Sequence, residues 1–402
     1  MTGTFFELSS APGFSTCPNS PTLSRLWSLE LGKPILIDDD DCDILWPCLV
    51  DDEFIQPHGI ADPPSGHTPH SYLPTVIPVV RFIAQLKKTL KAQVISPQTL
   101  QTFTDYFQAV LSTLPGQFQK HLDTHLSVSH LPLIFRFETV RFHLFRHNLT
   151  TICHPPDRLD ALERCHAVAR DTAQYIVRTF QLAGVTTSPS TQQRQWEDEV
   201  AASATNGVVL HIWRCILITC FRADYSTALT LLRVNTAVGE RRRANLGSGR
   251  FLFYFLDRLN ERIQGGLGSQ QQLLNDEEML AYVSGDMQGT VENSWIWAGS
   301  DTGLKLNPGG SQAQTYTNGD PPMDPQSGIL TEQEASEWGG WDIVRGKIQA
   351  LLDLQRSQNQ RDAEWYGGPP PKRPHLAPPP EPPTSRSDGG SMSRISIANI
   401  TG

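Results

Sequence analysis

Residues 158–182 read RLDALERCHAVARDTAQYIVRTFQL. Leu159, Leu162, His166, Ala169, Ala173, Ile176 and Phe180 recur three or four apart, the spacing that gathers side chains onto one face of a 3.6-residue helix. Gly184 lies just beyond and supplies a stop. The period predicts an amphipathic α-helix over about 158–182. Such a helix holds its shape by burying its apolar stripe against other elements, so the rest of the chain must supply matching faces.

It does so on both sides. Upstream, Val79, Phe82, Ile83, Leu86 and Leu90 share a helical face. Ser96-Pro97 is an N-cap followed by proline at the first helical position. Leu100, Phe103, Phe107, Val110, Leu111 and Leu114 make the next stripe, stopped by Pro115-Gly116. The aromatic-rich run from Leu133 to Ile152 is read as a helix ended by His154-Pro155-Pro156. Downstream, helices are expected over about 197–221 and 223–237, and Phe251, Phe255, Leu259 and Ile263 mark one more. Val208 to Phe221 is the most apolar run; it carries His211 and Arg214 and is too short to span a bilayer, so it reads as a buried helix and no membrane partner is expected. No stretch alternates as strands do. The fold class predicted is all-α, a multi-helix domain over 23–265.

The ends differ in character. The chain has 402 residues, 39% apolar and 19% charged, with 30 Gly and 30 Pro, a balance that fits a folded core plus much unstructured chain. Residues 1–22 are rich in Ser, Thr and Pro and are expected to be disordered, and they show no leader pattern. A Pro/His-rich connection is read at about 56–78. From Ile263 to Val344 one base, Lys305, stands against twelve acids, and 266–330 reads as an acidic linker. Thr331-Glu332-Gln333-Glu334 has the form of a capping box that starts a short helix over 331–357, with Ile343, Val344, Ile348, Leu351 and Leu352 on one face. Residues 358–402, with PPPKRPHLAPPPEPP, read as a disordered Pro-rich tail.

The net charge of -9 is concentrated: nine acids and no Lys or Arg lie between Pro34 and Val80. That stretch includes residues 26–55, LWSLELGKPILIDDDDCDILWPCLVDDEFI. An apolar helical run ends at Gly32-Lys33-Pro34, acids follow, and Trp46-Pro47 forms an apolar anchor. The acids alone read as a solvated loop, or as a Ca²⁺ site in which Asp39, Asp41 and Asp43 take the first three EF-hand positions while Ile44 stands where glycine is required. The arrangement resembles the signature of the fungal-specific transcription factor domain, the helical regulatory region of zinc-cluster regulators. Gly32, Pro34, Ile37, Asp39, Asp41, Asp43 and Pro47 are the matching positions, with Lys33 where arginine is usual. The resemblance extends to residues 133–155 and to the 158–176 helix, about 26–260 in all. It implies an all-helical regulatory domain of which this chain holds only part, because the family's domain starts well over a hundred residues before its acidic stretch.

That family reads DNA through a zinc binuclear cluster, which needs six thiolates and two C-x-x-C pairs. Cys17, Cys42, Cys48, Cys153, Cys165, Cys215 and Cys220 are scattered, without a C-x-x-C, so no zinc or other cofactor and no sequence-specific DNA binding are expected of this chain. The odd, scattered set fits a reducing compartment.

His143 and His147 have zinc-compatible spacing but lack a metalloprotease glutamate and read as a packed or surface pair. His121, His125 and His130 read as helix-end and loop residues. Cys165 and His166, as helix neighbours, point about 100° apart and cannot pair. Cys215 and Cys220 read as core, and Gly247-Ser248-Gly249 as a helix start with Ser248 as N-cap. No P-loop, G-x-S-x-G or G-x-G-x-x-G is present. Arg241-Arg242-Arg243 reads as a solvated inter-helix loop.

The resemblance implies a nuclear protein that regulates RNA polymerase II transcription of a metabolic gene set and is not an enzyme. Coactivators and a small-molecule effector between helices would be its partners. Lys372-Arg373 is a candidate import signal. Trp295, Trp297, Trp338 and Trp341, set among acids, are a candidate activation region; the plainer reading is an acidic linker with a few core tryptophans. A helical interaction scaffold and an enzyme with an inter-helix site are the alternatives.

Overall fold

The computed structural model describes Arg25, Ser28, Leu29, Pro64, Phe118, Gln119 and residues 52–62, 73–114, 124–180, 189–284 and 338–366. The chain divides into two units, Met1–Gln355 and Arg356–Gly402. The first holds the whole core; in the second, residues 356–366 are described and are helical. Among the described residues the elements are α1 Leu73–Thr89, α2 Pro97–Thr113, α3 Leu131–Arg146, α4 Pro155–Phe180, α5 Pro189–Ser203, α6 Asn206–Phe221, α7 Tyr225–Val238, α8 Arg243–Gln264, α9 Gln270–Leu273, α10 Glu277–Ser284 and α11 Trp341–Tyr366. One two-stranded hairpin, β1 Ile55–Gln56 with β2 Gly59–Ile60, is the sole sheet among them. The fold is all-α.

Helix α6 is the axis. From Val208 onward only Leu210 escapes full burial, as suits a helix that is apolar nearly all round. On one side lies the α3–α4 hairpin. Its helices are antiparallel: Phe145 stands opposite Arg164 at 5.6 Å, and Arg141 opposite Asp171 at 3.1 Å. On the other, Trp213 of α6 meets Phe251 of α8 edge to face at 5.0 Å, and Phe251 meets Tyr282 of α10 at 5.0 Å. α1 and α2 cover α3 through Phe82, Phe103 and Phe107, the last 5.4 Å from Phe137.

Several boundaries differ from the sequence reading. The expected 197–221 helix is two, because Thr205 takes an extended backbone and its side chain accepts from Val208 N at 3.3 Å, starting α6 afresh. The aromatic helix ends at Arg146 rather than at 152. There the Asn148 amide turns aside, donating to Ile95 O at 2.8 Å and accepting from Ile95 N at 2.9 Å. Pro155 then starts α4 instead of only ending its predecessor. Ser248 is no cap: α8 begins at Arg243, and the Ser248 hydroxyl donates to Ala244 O at 2.7 Å from inside the helix. Most consequentially, the core does not stop at 265. Leu273, Leu274, Met279, Leu280, Tyr282 and Val283 join it, as do Trp338, Trp341, Val344, Ile348, Leu351 and Leu352. The first part of the expected acidic linker is therefore helical, its acids partly engaged: Arg262 pairs Asp276 at 3.0 Å and Glu278 at 2.7 Å.

The caps follow their chemistry. Ser96 caps α2 through Thr99 N at 3.2 Å, with Pro97 behind it. Asp224 caps α7. Ser269 and Gln272 form a capping box on α9.

Candidate functional site

The polar groups of the interior gather where α3, α4 and α6 meet. Glu138 and Arg141 lie one turn apart on the buried face of α3. Arg141 Nη1 donates to Glu138 Oε2 at 2.6 Å and to Asp171 Oδ2 of α4 at 3.1 Å. Glu138 is wholly enclosed, and the Arg141 and Asp171 side chains are 12% and 20% exposed. Burial by itself would lower the pKa of Arg141; the charges and hydrogen bonds of its two carboxylates outweigh that and raise it. The network spans the hairpin and fixes the register of α3 on α4.

Two residues further along α3, His143 is buried between two guanidiniums. Arg146 lies 3.0 Å from its Nδ1, and Arg214 of α6 lies 3.3 Å from its Nε2. Guanidinium only donates, and a neutral imidazole accepts at one nitrogen. In that form one of the two contacts is a hydrogen bond at any moment. Arg146 also donates to the last carbonyl of α10, Ser284 O, stitching that helix end to the hairpin. His147, the other half of the pair singled out by spacing, turns away to donate to Ala92 O at 2.6 Å. The two histidines do not converge.

A third group joins α4 to α6. The Thr172 hydroxyl donates to Val168 O at 2.9 Å, so it accepts from His211 Nε2, also 2.9 Å away. Cys215 Sγ is 3.6 Å from the same nitrogen. Burial pushes Cys165, Cys215 and Cys220 above the ordinary thiol range, keeping them protonated and inert. The Tyr175 phenol is likewise pushed up by burial, then by Glu138 and Asp171, and donates to Phe118 O at 2.8 Å. Beside it Arg178 holds Thr124 O at 3.0 Å and Gln119 O at 3.1 Å. Arg158, at the other end of α4, caps the α9 end through Leu274 O and reaches Cys153 O at 3.0 Å.

Among the described residues no group of three His, Cys, Asp or Glu side chains is placed to hold a metal. No single described helix is long and apolar enough to cross a membrane. The arrangement fastens helices: Arg141, Arg146, Arg158 and Arg178 each donate to a carbonyl or carboxylate of a neighbouring segment.

No protein-family model, curated protein or solved structure matches the chain.

Of the residues that sequence singled out, Gly32, Pro34, Asp39, Asp41, Asp43, Pro47, Trp295, Trp297, Lys372 and Arg373 lie outside the described residues. Trp338 and Trp341 are described and are core residues, 5% and 6% exposed, edge to face at 5.6 Å. In this structure both indoles are packed inside the core. Arg241 and Arg242 are exposed between α7 and α8, as a solvated loop would be. Glu138, Arg141, Asp171, Arg146, Arg214 and His211 were missed. For Glu138 and Arg141 the signal was opposite charges three apart inside an aromatic run, LIFRFETVRFHLF, where a solvated face would not be so apolar; the other four carry no such local signal.

Proposed function

We propose that the chain is the regulatory part of a zinc-cluster-type transcription regulator of the kind the fungal-specific transcription factor domain represents. It acts in the nucleus on RNA polymerase II transcription of a metabolic gene set and leaves DNA reading to another module. One observation carries the reading: two of the segments that resemble the family, 133–155 and 158–176, lie in one antiparallel hairpin at the centre of an all-helical core. The buried polar groups favour regulation by helix packing, since they hold register without presenting a nucleophile. In this reading Lys372-Arg373 serves nuclear import, Trp295 and Trp297 remain candidates for coactivator contact, and a small-molecule effector would bind between helices.

Burial of Trp338 and Trp341 favours a second reading, an interaction scaffold without transcriptional activity. Fusion of the full chain to an unrelated DNA-binding domain, beside a reporter carrying that domain's site, separates the two. A change in reporter output that depends on the chain supports regulation; output equal to the DNA-binding domain alone supports the scaffold.

A further inference from the structure

Trp338-Gly339-Gly340-Trp341 forms a clasp. Gly339 and Gly340 take φ of 63° and 85°, a left-handed conformation that glycine adopts freely. A side chain at Gly339 would also strike Ile343, whose Cδ1 stands 2.1 Å from where a Cβ would be. The tight turn lets the two indoles meet at right angles. Trp338 seats on Gly249, which is buried inside α8. A Cβ at Gly249 would lie 2.3 Å from Trp338 Cζ2 and 2.9 Å from its Cε2. Glycine weakens a helix interior, and what α8 gains in return is this seat.

From the clasp, α11 runs along the outside of the core. Val344, Ile348, Leu351 and Leu352 face inward. Lys347 pairs with Asp257 of α8 and lies 4.3 Å from the centre of the Phe253 ring. Gln355 donates to Ala223 O at 3.0 Å, in the α6–α7 turn. Two features bear on how firmly this docking holds. The buried Nε1 groups of Trp338 and Trp341 have no hydrogen-bond partner among the described residues, so both would gain one on meeting water. The polar fasteners are half-open side-chain pairs, with Lys347 and Asp257 28% and 37% exposed, and such pairs hold weakly.

We infer that residues 338–355 are an autoinhibitory latch. Docked, the latch withholds both indoles and the Val344/Ile348/Leu351 strip. Released, it presents them, with Asp342 beside Trp341 in sequence, to an apolar groove on a coactivator. Its existence stands on the geometry; its use rests on the regulatory reading proposed above.

Hydrogen exchange on the full chain with Gly249→Ala tests the latch. The methyl favours the α8 helix and evicts Trp338. Amides of 341–352 should exchange about tenfold faster or more, while those of α3, α4 and α6 stay within about twofold. Unchanged exchange at 341–352, or a rise shared by α4 and α6, overturns the latch. Lys347→Glu, facing Asp257 at the surface, is judged by the same criterion should Gly249→Ala fail to fold. In the reporter fusion Gly249→Ala should raise output. Local release with unchanged output leaves the latch standing and overturns its regulatory use.

Discussion

Arg141 offers the sharpest test of the buried network. Replacing it with Met keeps most of its stem and deletes the charge between Glu138, 2.6 Å away and fully enclosed, and Asp171, 3.1 Å away and 20% exposed. Two unit charges about 4 Å apart attract by roughly 4 kcal/mol at the effective dielectric of such sites, before desolvation is subtracted. Removing one partner of a buried pair typically costs about 3–5 kcal/mol, so Arg141→Met should fall in that range. Glu138→Gln keeps the shape and an acceptor, and Arg141 still has Asp171; its cost should be about 1–2 kcal/mol. In the double variant the two losses should overlap, leaving a coupling of about 2 kcal/mol. Arg164→Met is the control. Its pair with Asp160 is i,i+4 and 23%/45% exposed, its Nη1 also donates to Thr104 Oγ1 at 3.0 Å, and the loss of both should cost about 1–2 kcal/mol. Urea denaturation of the four proteins and the wild type measures all of these. Additivity within about 0.5 kcal/mol, or an Arg141→Met cost no greater than that of Arg164→Met, refutes the claim that the network fastens the hairpin.

Asp224 makes stability depend on acid. Hydrogen bonds from His166, chiefly, and from Thr227 hold its carboxyl at about 2 against an ordinary 3.8, despite the opposing effect of burial. A depressed carboxylate stabilises above its unfolded value, so the contribution is whole above about pH 4 and fades as the pH falls toward 2. Discounted for solvent screening it is about 1 kcal/mol; Asp224→Asn should show that deficit at pH 6 and only a small part of it at pH 2, and a deficit independent of pH would contradict it. On α4, Leu162→Ala and Ile176→Ala should each cost about 2–5 kcal/mol, since both are 0% exposed. Leu159→Ala, at 41% exposed, should cost well under half as much; equal melting shifts for all three would mean that the buried face is misassigned. Selection of DNA sequences by the purified chain should enrich no motif, since specific binding exceeds non-specific by about a thousandfold or more; a single enriched motif would overturn this.

The helices were legible because their apolar stripes repeat at helical spacing over many residues. The stripe was not perfect: Leu159 fits the period yet lies near the start of α4, exposed, and His166 reaches out to Asp224 at 3.0 Å. Breaks were harder to read. The stop at Arg146 depends on Asn148 bonding Ile95, 53 residues away, and no local pattern reports such a partner. Gly249 looked like a boundary because its reason for being glycine, Trp338, lies far along the chain. The same distance hid the extent of the core: acids between 276 and 342 suggested a linker, while the described apolar residues at its two ends pack. The candidate site was the least legible. Motif spacing drew attention to His143 and His147, whereas the groups that converge on His143 come from Arg146 and from α6, which only the tertiary fold brings near.

Acute depletion of the full chain in its host, followed by sequencing of nascent transcripts, tests the proposed function most directly. The account predicts that a limited, related set of genes changes synthesis within the time the chain disappears. Nascent transcription unchanged across the genome after complete depletion would contradict it.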